Sequence, residues 1–150
     1  MFMITDDLIF IDRTEENYIS FLENISDELE TLGYVNNDFK NAIIEREKVF
    51  ATGIGTEKFN LAIPHTDSEY VLKPGIAFVK FKNACDFNEM CTNKNLKVSM
   101  AFILLVKNKD EQTKLLSKLM GLFVDNDFLQ SLFEETNVSK LLNKINNKLD

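Results

Sequence analysis

Apolar and polar residues alternate along this chain in blocks whose period changes, and the period predicts the elements. Leu8-Ile9-Phe10-Ile11 is a short apolar run that reads as a first strand. Tyr18, Phe21, Leu22, Ile25 and Leu29 recur at helical spacing, so 14–32 reads as an amphipathic helix. Asp12 and Thr14 offer caps at its start and Gly33 a stop at its end. A second helix, capped by Asn36 or Asn37, carries Phe39, Ile43 and Ala42 on one face and Glu45-Arg46-Glu47-Lys48 in its last turn. The two glycines of 52–56 predict a loop. Phe59-Asn60-Leu61-Ala62-Ile63 predicts a strand that stops at Pro64, which cannot donate to a ladder.

Further on, 67–72 predicts a helical turn and Pro74-Gly75 a tight turn. Residues 76–81 read as a strand and 83–95 as polar, irregular chain. Residues 96–106 form the most apolar strand, dense enough to lie centrally in a sheet. Helices are predicted over 113–124, 127–135 and 138–148, with Asp125 or Asp127, and Asn137 or Ser139, as caps. No repeat, linker or low-complexity segment interrupts this order. One α/β domain over 1–150 is the economical reading.

Composition narrows the function. The chain has 150 residues, 45% hydrophobic and 27% charged, with 13 Phe and no Trp. A net charge of −7 argues against nucleic acid and anionic membranes. It suits a partner protein with a basic face, or simply solubility. Asp6 and Asp7 break the apolar start, so no signal peptide is expected, and the run at 100–106 is too short to span a bilayer. A reducing cytoplasm is the expected compartment. Cys85 and Cys91 then read as plain buried or half-buried thiols, because no further ligands stand at metal-binding spacing.

The candidate chemistry centres on His65, the only histidine. It follows Pro64 at the end of a strand, where open α/β sheets place their sites. Thr66, Asp67, Ser68 and Glu69 follow it, and the 52–56 loop precedes it. A neutral imidazole nitrogen is a nucleophile near neutral pH, and a phosphoramidate formed on it is labile enough to be passed on. A transferring phosphoryl group needs positioned donors, and Arg46 is the nearest guanidinium in sequence. On spacing alone, an ion pair with a neighbouring Glu on the helix surface is the favoured reading of Arg46. Zinc sites, P-loops, dinucleotide fingerprints and nucleophile elbows find no support in the motifs.

Arg46-Glu47-Lys48, Thr52-Gly53-Ile54-Gly55 and Leu61-Ala62-Ile63-Pro64-His65 together resemble the active-site signature of the fructose/mannitol class of enzyme IIA. These are phosphocarriers of the bacterial phosphoenolpyruvate-dependent sugar phosphotransferase system. The run Pro64-His65-Thr66-Asp67-Ser68-Glu69-Tyr70-Val71 resembles the galactitol-type branch; in other branches Gly usually follows the His. The resemblance covers nearly the whole chain. It implies one mixed, roughly five-stranded sheet flanked by helices. It implies that His65 takes a phosphoryl group from phospho-HPr on a ring nitrogen, Nε2, and passes it to a cysteine of enzyme IIB. From there it goes to a sugar entering through the membrane component IIC, which this chain meets only through IIB. Arg46 matches the arginine that stabilises the phosphoryl group, which reverses the reading from spacing. Glu47 and Asp67 are then candidates to orient Arg46 and His65, with Thr66 beside them. Some relatives carry a second histidine in the turn before the helix expected from 113; Gln112 holds that place here, able to donate a hydrogen bond but not to carry charge. No metal or cofactor is expected. Two readings compete: a regulatory module of the nitrogen-related type, and a plain interaction domain with an idle histidine. The sugar is not legible.

Overall fold

The computed structural model describes residues 4–150. Its single sheet has the strand order β1-β4-β5-β3-β2. The strands are β1 (Ile9–Arg13), β2 (Gly53–Gly55), β3 (Asn60–Ala62), β4 (Gly75–Asn88) and β5 (Asn95–Leu105). The helices are α1 (Tyr18–Thr31), α2 (Phe39–Val49), α3 (Lys109–Leu122), α4 (Asn126–Glu134) and α5 (Val138–Leu149). The sheet is mixed: β1 runs parallel to β4 and β3 parallel to β5, whereas β4/β5 and β2/β3 are antiparallel. This is the α/β class expected.

β5 lies inside the sheet between β4 and β3, and Val98 and Met100 through Val106 are all buried. A strand covered on both faces loses the apolar/polar alternation, which is why this segment reads as one continuous apolar run. Gly33 ends α1 with φ +88°, letting Gly33 N–H reach Glu30 O and Tyr34 N–H reach Leu29 O. Asn17, rather than Asp12 or Thr14, caps α1, accepting from Ser20 N–H at 3.0 Å. Asp38, not Asn36 or Asn37, stands at the α2 cap position, without a side-chain cap bond. Asp125 and Asn137 cap α4 and α5.

Three expectations are corrected. The segment 52–56 is not simply a loop: Gly53–Gly55 forms edge strand β2, paired with β3. The segment 83–95 is not irregular: β4 continues through Asn88 and β5 begins at Asn95, past a register shift between Lys80 and Cys85. That shift and the exposed run Lys82-Asn83-Ala84 break the pattern that marks a strand. Finally, α3 starts at Lys109, capped by Asn108, so Gln112 sits inside its first turn rather than before it.

The β4–β5 hairpin tip matters for the site. It turns at 89–94 through Cys91 (φ 72°) and Asn93 (φ 59°). It is drawn onto β2: Met90 N–H donates to Gly53 O at 2.8 Å. A Cβ on Gly53 would lie 2.5 Å from Asn88 O, so only glycine allows this approach.

Candidate active site

His65 is placed by a short chain of main-chain bonds. β3 leaves the sheet at Ala62, yet Pro64 remains tied to the central strand, because its carbonyl accepts Leu104 N–H at 3.2 Å. His65 therefore projects one residue beyond the last sheet bond. Its Nδ1 lies 2.8 Å from Ile63 O. A carbonyl oxygen only accepts, so Nδ1 carries the hydrogen and the neutral ring presents its lone pair at Nε2. Burial holds the imidazole below its ordinary pKa of 6.5, and the nearby Arg46 charge adds to this; the Ile63 bond and Asp67 pull upward. The balance keeps the ring neutral at pH 7, the state a nucleophile needs.

His65 and Arg46 line one open cleft of about 530 Å³. Its other walls are Val49, Phe50, Ala51 and Thr52 on one side and Glu89, Met90, Cys91 and Asn93 of the hairpin tip on the other. Arg46 comes from the last turn of α2. Its guanidinium carbon lies 4.7 Å from the centroid of the Phe50 ring. Among the described residues no carboxylate pairs with it, and its buried Nε has no hydrogen-bond partner. This corrects the ion-pair reading from spacing: Glu45 pairs with Lys48 at 3.3 Å, and Glu47 turns inward.

Glu47 does not hydrogen-bond Arg46. At 2% exposure, it accepts from Thr52 N–H at 2.7 Å and Thr52 Oγ1–H at 2.9 Å. Burial pushes its carboxyl up to about 7 against those bonds and the Arg46 charge. It staples the end of α2 to the cleft wall. Asp67 is exposed and acts on His65 through charge. Thr66 is buried, and its carbonyl accepts Gln112 Nε2–H at 3.0 Å, so that donor ties α3 to the loop after His65 and is not turned to the cleft.

Sequence reasoning missed Phe50 and the hairpin tip, and placed Thr52 near the site without its bond to Glu47. The short apolar pair Val49-Phe50 at a helix end was the one available signal. Cys85 is buried, but Cys91 is exposed on the cleft rim, contrary to the expected half-buried thiol.

An oriented neutral imidazole beside an unpaired guanidinium, at the end of an α/β sheet, is equipped to attack and hold an oxyanion such as a phosphoryl group. Comparison with known proteins makes the class specific. The family model described as "Phosphoenolpyruvate-dependent sugar phosphotransferase system, EIIA 2" matches residues 2–148, and the chain belongs to this family, whose members are phosphotransferase components. It is 31% identical to the galactitol-specific EIIA component of Escherichia coli K12 over 123 residues, 82% of this chain and 79% of that protein. It is 33% identical over 140 residues to the transcriptional regulator ManR of Bacillus subtilis, covering 92% of this chain but only 20% of ManR. The fold matches the E. coli complex of enzyme IIA mannitol with phosphorylated enzyme IIB mannitol (TM-score 0.79, 20% identity, 98% of this chain and 99% of that one). No helix among the described residues is long and apolar enough to cross a membrane.

Proposed function

We propose that residues 1–150 act as one cytoplasmic phosphocarrier module that accepts a phosphoryl group from phospho-HPr on His65 Nε2 and delivers it to a cysteine of an enzyme IIB. The observation that supports this is the Nδ1–Ile63 bond, which leaves the lone pair on Nε2 of a ring that lines the same cleft as Arg46. In the first step, Nε2 attacks phosphorus, and the phosphorus–nitrogen bond of the donor phosphohistidine breaks. The donor imidazole leaves with the electron pair and regains a proton. In the second step, a IIB thiolate attacks, and the Nε2–phosphorus bond breaks. Arg46 offsets charge on the equatorial oxygens in both. IIC is reached only through IIB. The 31% identity to a galactitol-specific component supports the transport reading. Incubation with phosphoenolpyruvate, enzyme I and HPr, then with a candidate IIB, tests both steps.

A regulatory reading has one observation in its favour: ManR is named a transcriptional regulator, and the matching region is a fifth of it. Phosphorylated chain that never discharges to any IIB but changes its binding to a partner would select that reading.

A further inference from the structure

Phe50 is the last residue expected at a helix end in water. It follows α2 directly, is 60% exposed and lies outside the hydrophobic core. Its backbone N–H donates to Arg46 O at 2.8 Å, which places the two side chains one turn apart on the same face. The ring lies against the Arg46 guanidinium at 4.7 Å, and both line the cleft that His65 enters.

We propose that Phe50 is a positioning residue for phosphoryl transfer: its ring holds the Arg46 guanidinium in the cleft without neutralising it. The inference rests on the reading of His65 as the phosphoryl acceptor. Its physical basis is the choice of partner. A long, flexible arginine must be held before it can stabilise a transferring group. A carboxylate would hold it but would also compete with the phosphoryl oxygens for its donors. The nearby carboxylates are engaged elsewhere: Glu45 with Lys48, Glu47 with Thr52, and Glu89, across the cleft, with the Thr92 hydroxyl. An aromatic face attracts the cation through its quadrupole and occupies none of its N–H groups.

Because His65 is the only histidine, its ring gives one NMR titration, and Arg46 is among the charges that lower it. In F50A and F50L the titration should move up toward the ordinary 6.5, while F50Y and F50W should keep the wild-type value. In an R46Q background F50A should have no further effect. The titration needs no phosphoryl donor, so it decides on Phe50 separately from the assignment of His65. In transfer from phospho-HPr, F50A should lower kcat by about three- to five-fold, and tyrosine, but not leucine, should restore it. An unchanged F50A titration, an equal shift with R46Q present, or rescue by leucine with only KM altered would overturn the proposal. The last outcome would make Phe50 a docking contact.

Discussion

The Nδ1 of His65 lies 2.8 Å from the carbonyl oxygen of Ile63, two residues before it in the same chain. The ring is thus oriented by its own approach strand rather than by a carboxylate. A carboxylate partner would raise the imidazole's affinity for a proton; a carbonyl orients it while burial keeps it neutral. Orientation and nucleophilicity are satisfied together.

Arg46 should matter through charge rather than through packing. R46Q should slow phosphoryl transfer by roughly 10²-fold or more, the size expected when a preorganised transition-state donor is removed. The melting temperature should hardly move, because no ion pair is lost. Rapid-quench measurement of transfer from phospho-HPr checks this; a wild-type rate would return Arg46 to an ordinary surface residue.

Glu47 predicts a pH dependence of stability. Its ordinary value is 4.5, and burial raises it to about 7 in the fold. Between those values the native state binds more protons than the unfolded chain, so stability from this group is full below pH 4.5 and is lost as pH rises through 7. The separation corresponds to about 3 kcal/mol at roughly 1.4 kcal/mol per pH unit. Gln at this position keeps an acceptor for Thr52 N–H and stays neutral. E47Q should therefore gain on wild type between pH 5 and pH 8 in denaturant titrations. His65 acts in the opposite sense, its lowered value costing stability as pH falls below 6.5, but it is common to both proteins and cancels. Parallel stability curves would contradict the buried carboxylate.

Lys80 is buried, and its ammonium donates to Leu132 O at 3.1 Å, Phe133 O at 3.0 Å and Glu135 O, closing the end of α4. K80M should cost about 1–3 kcal/mol, because the carbonyls of Leu132, Phe133 and Glu135 at the end of α4 lose their ammonium donor. Thermal unfolding with transfer activity measured below the transition separates this loss from any effect on the site.

The two cysteines should differ sharply. Cys85 is buried and its thiol is pushed up to about 12, so it should resist alkylation in the folded state. Cys91 is exposed on the cleft rim and should react. A bulky maleimide there should block phosphorylation, and C91S should abolish the block. Full activity of the labelled protein would mean that the hairpin tip does not wall the route to His65.

Much of this was legible in the chain. The helix periods, the apolar density of β5 and the Pro64-His65 stop follow from local rules that tertiary structure obeyed. What escaped depended on distant contacts. Gly53-Ile54-Gly55 resembles a loop until β3 supplies its ladder, and Gly53 is there because Asn88 approaches it. Glu47 looks like a surface charge in a charged run, and only the return of the chain at Thr52 buries it. Gln112 invites a role toward phosphate, but its amide faces the Thr66 carbonyl across 46 residues of sequence.

The most direct measurement is mass spectrometry of wild type and H65A after incubation with phosphoenolpyruvate, enzyme I and HPr, with NMR to locate the modified nitrogen. Wild type should gain one acid-labile phosphoryl group on His65 Nε2, and H65A none. Phosphorylation of H65A to the wild-type extent, or attachment at Nδ1 of a ring whose Nδ1–H is held by Ile63, would contradict the account.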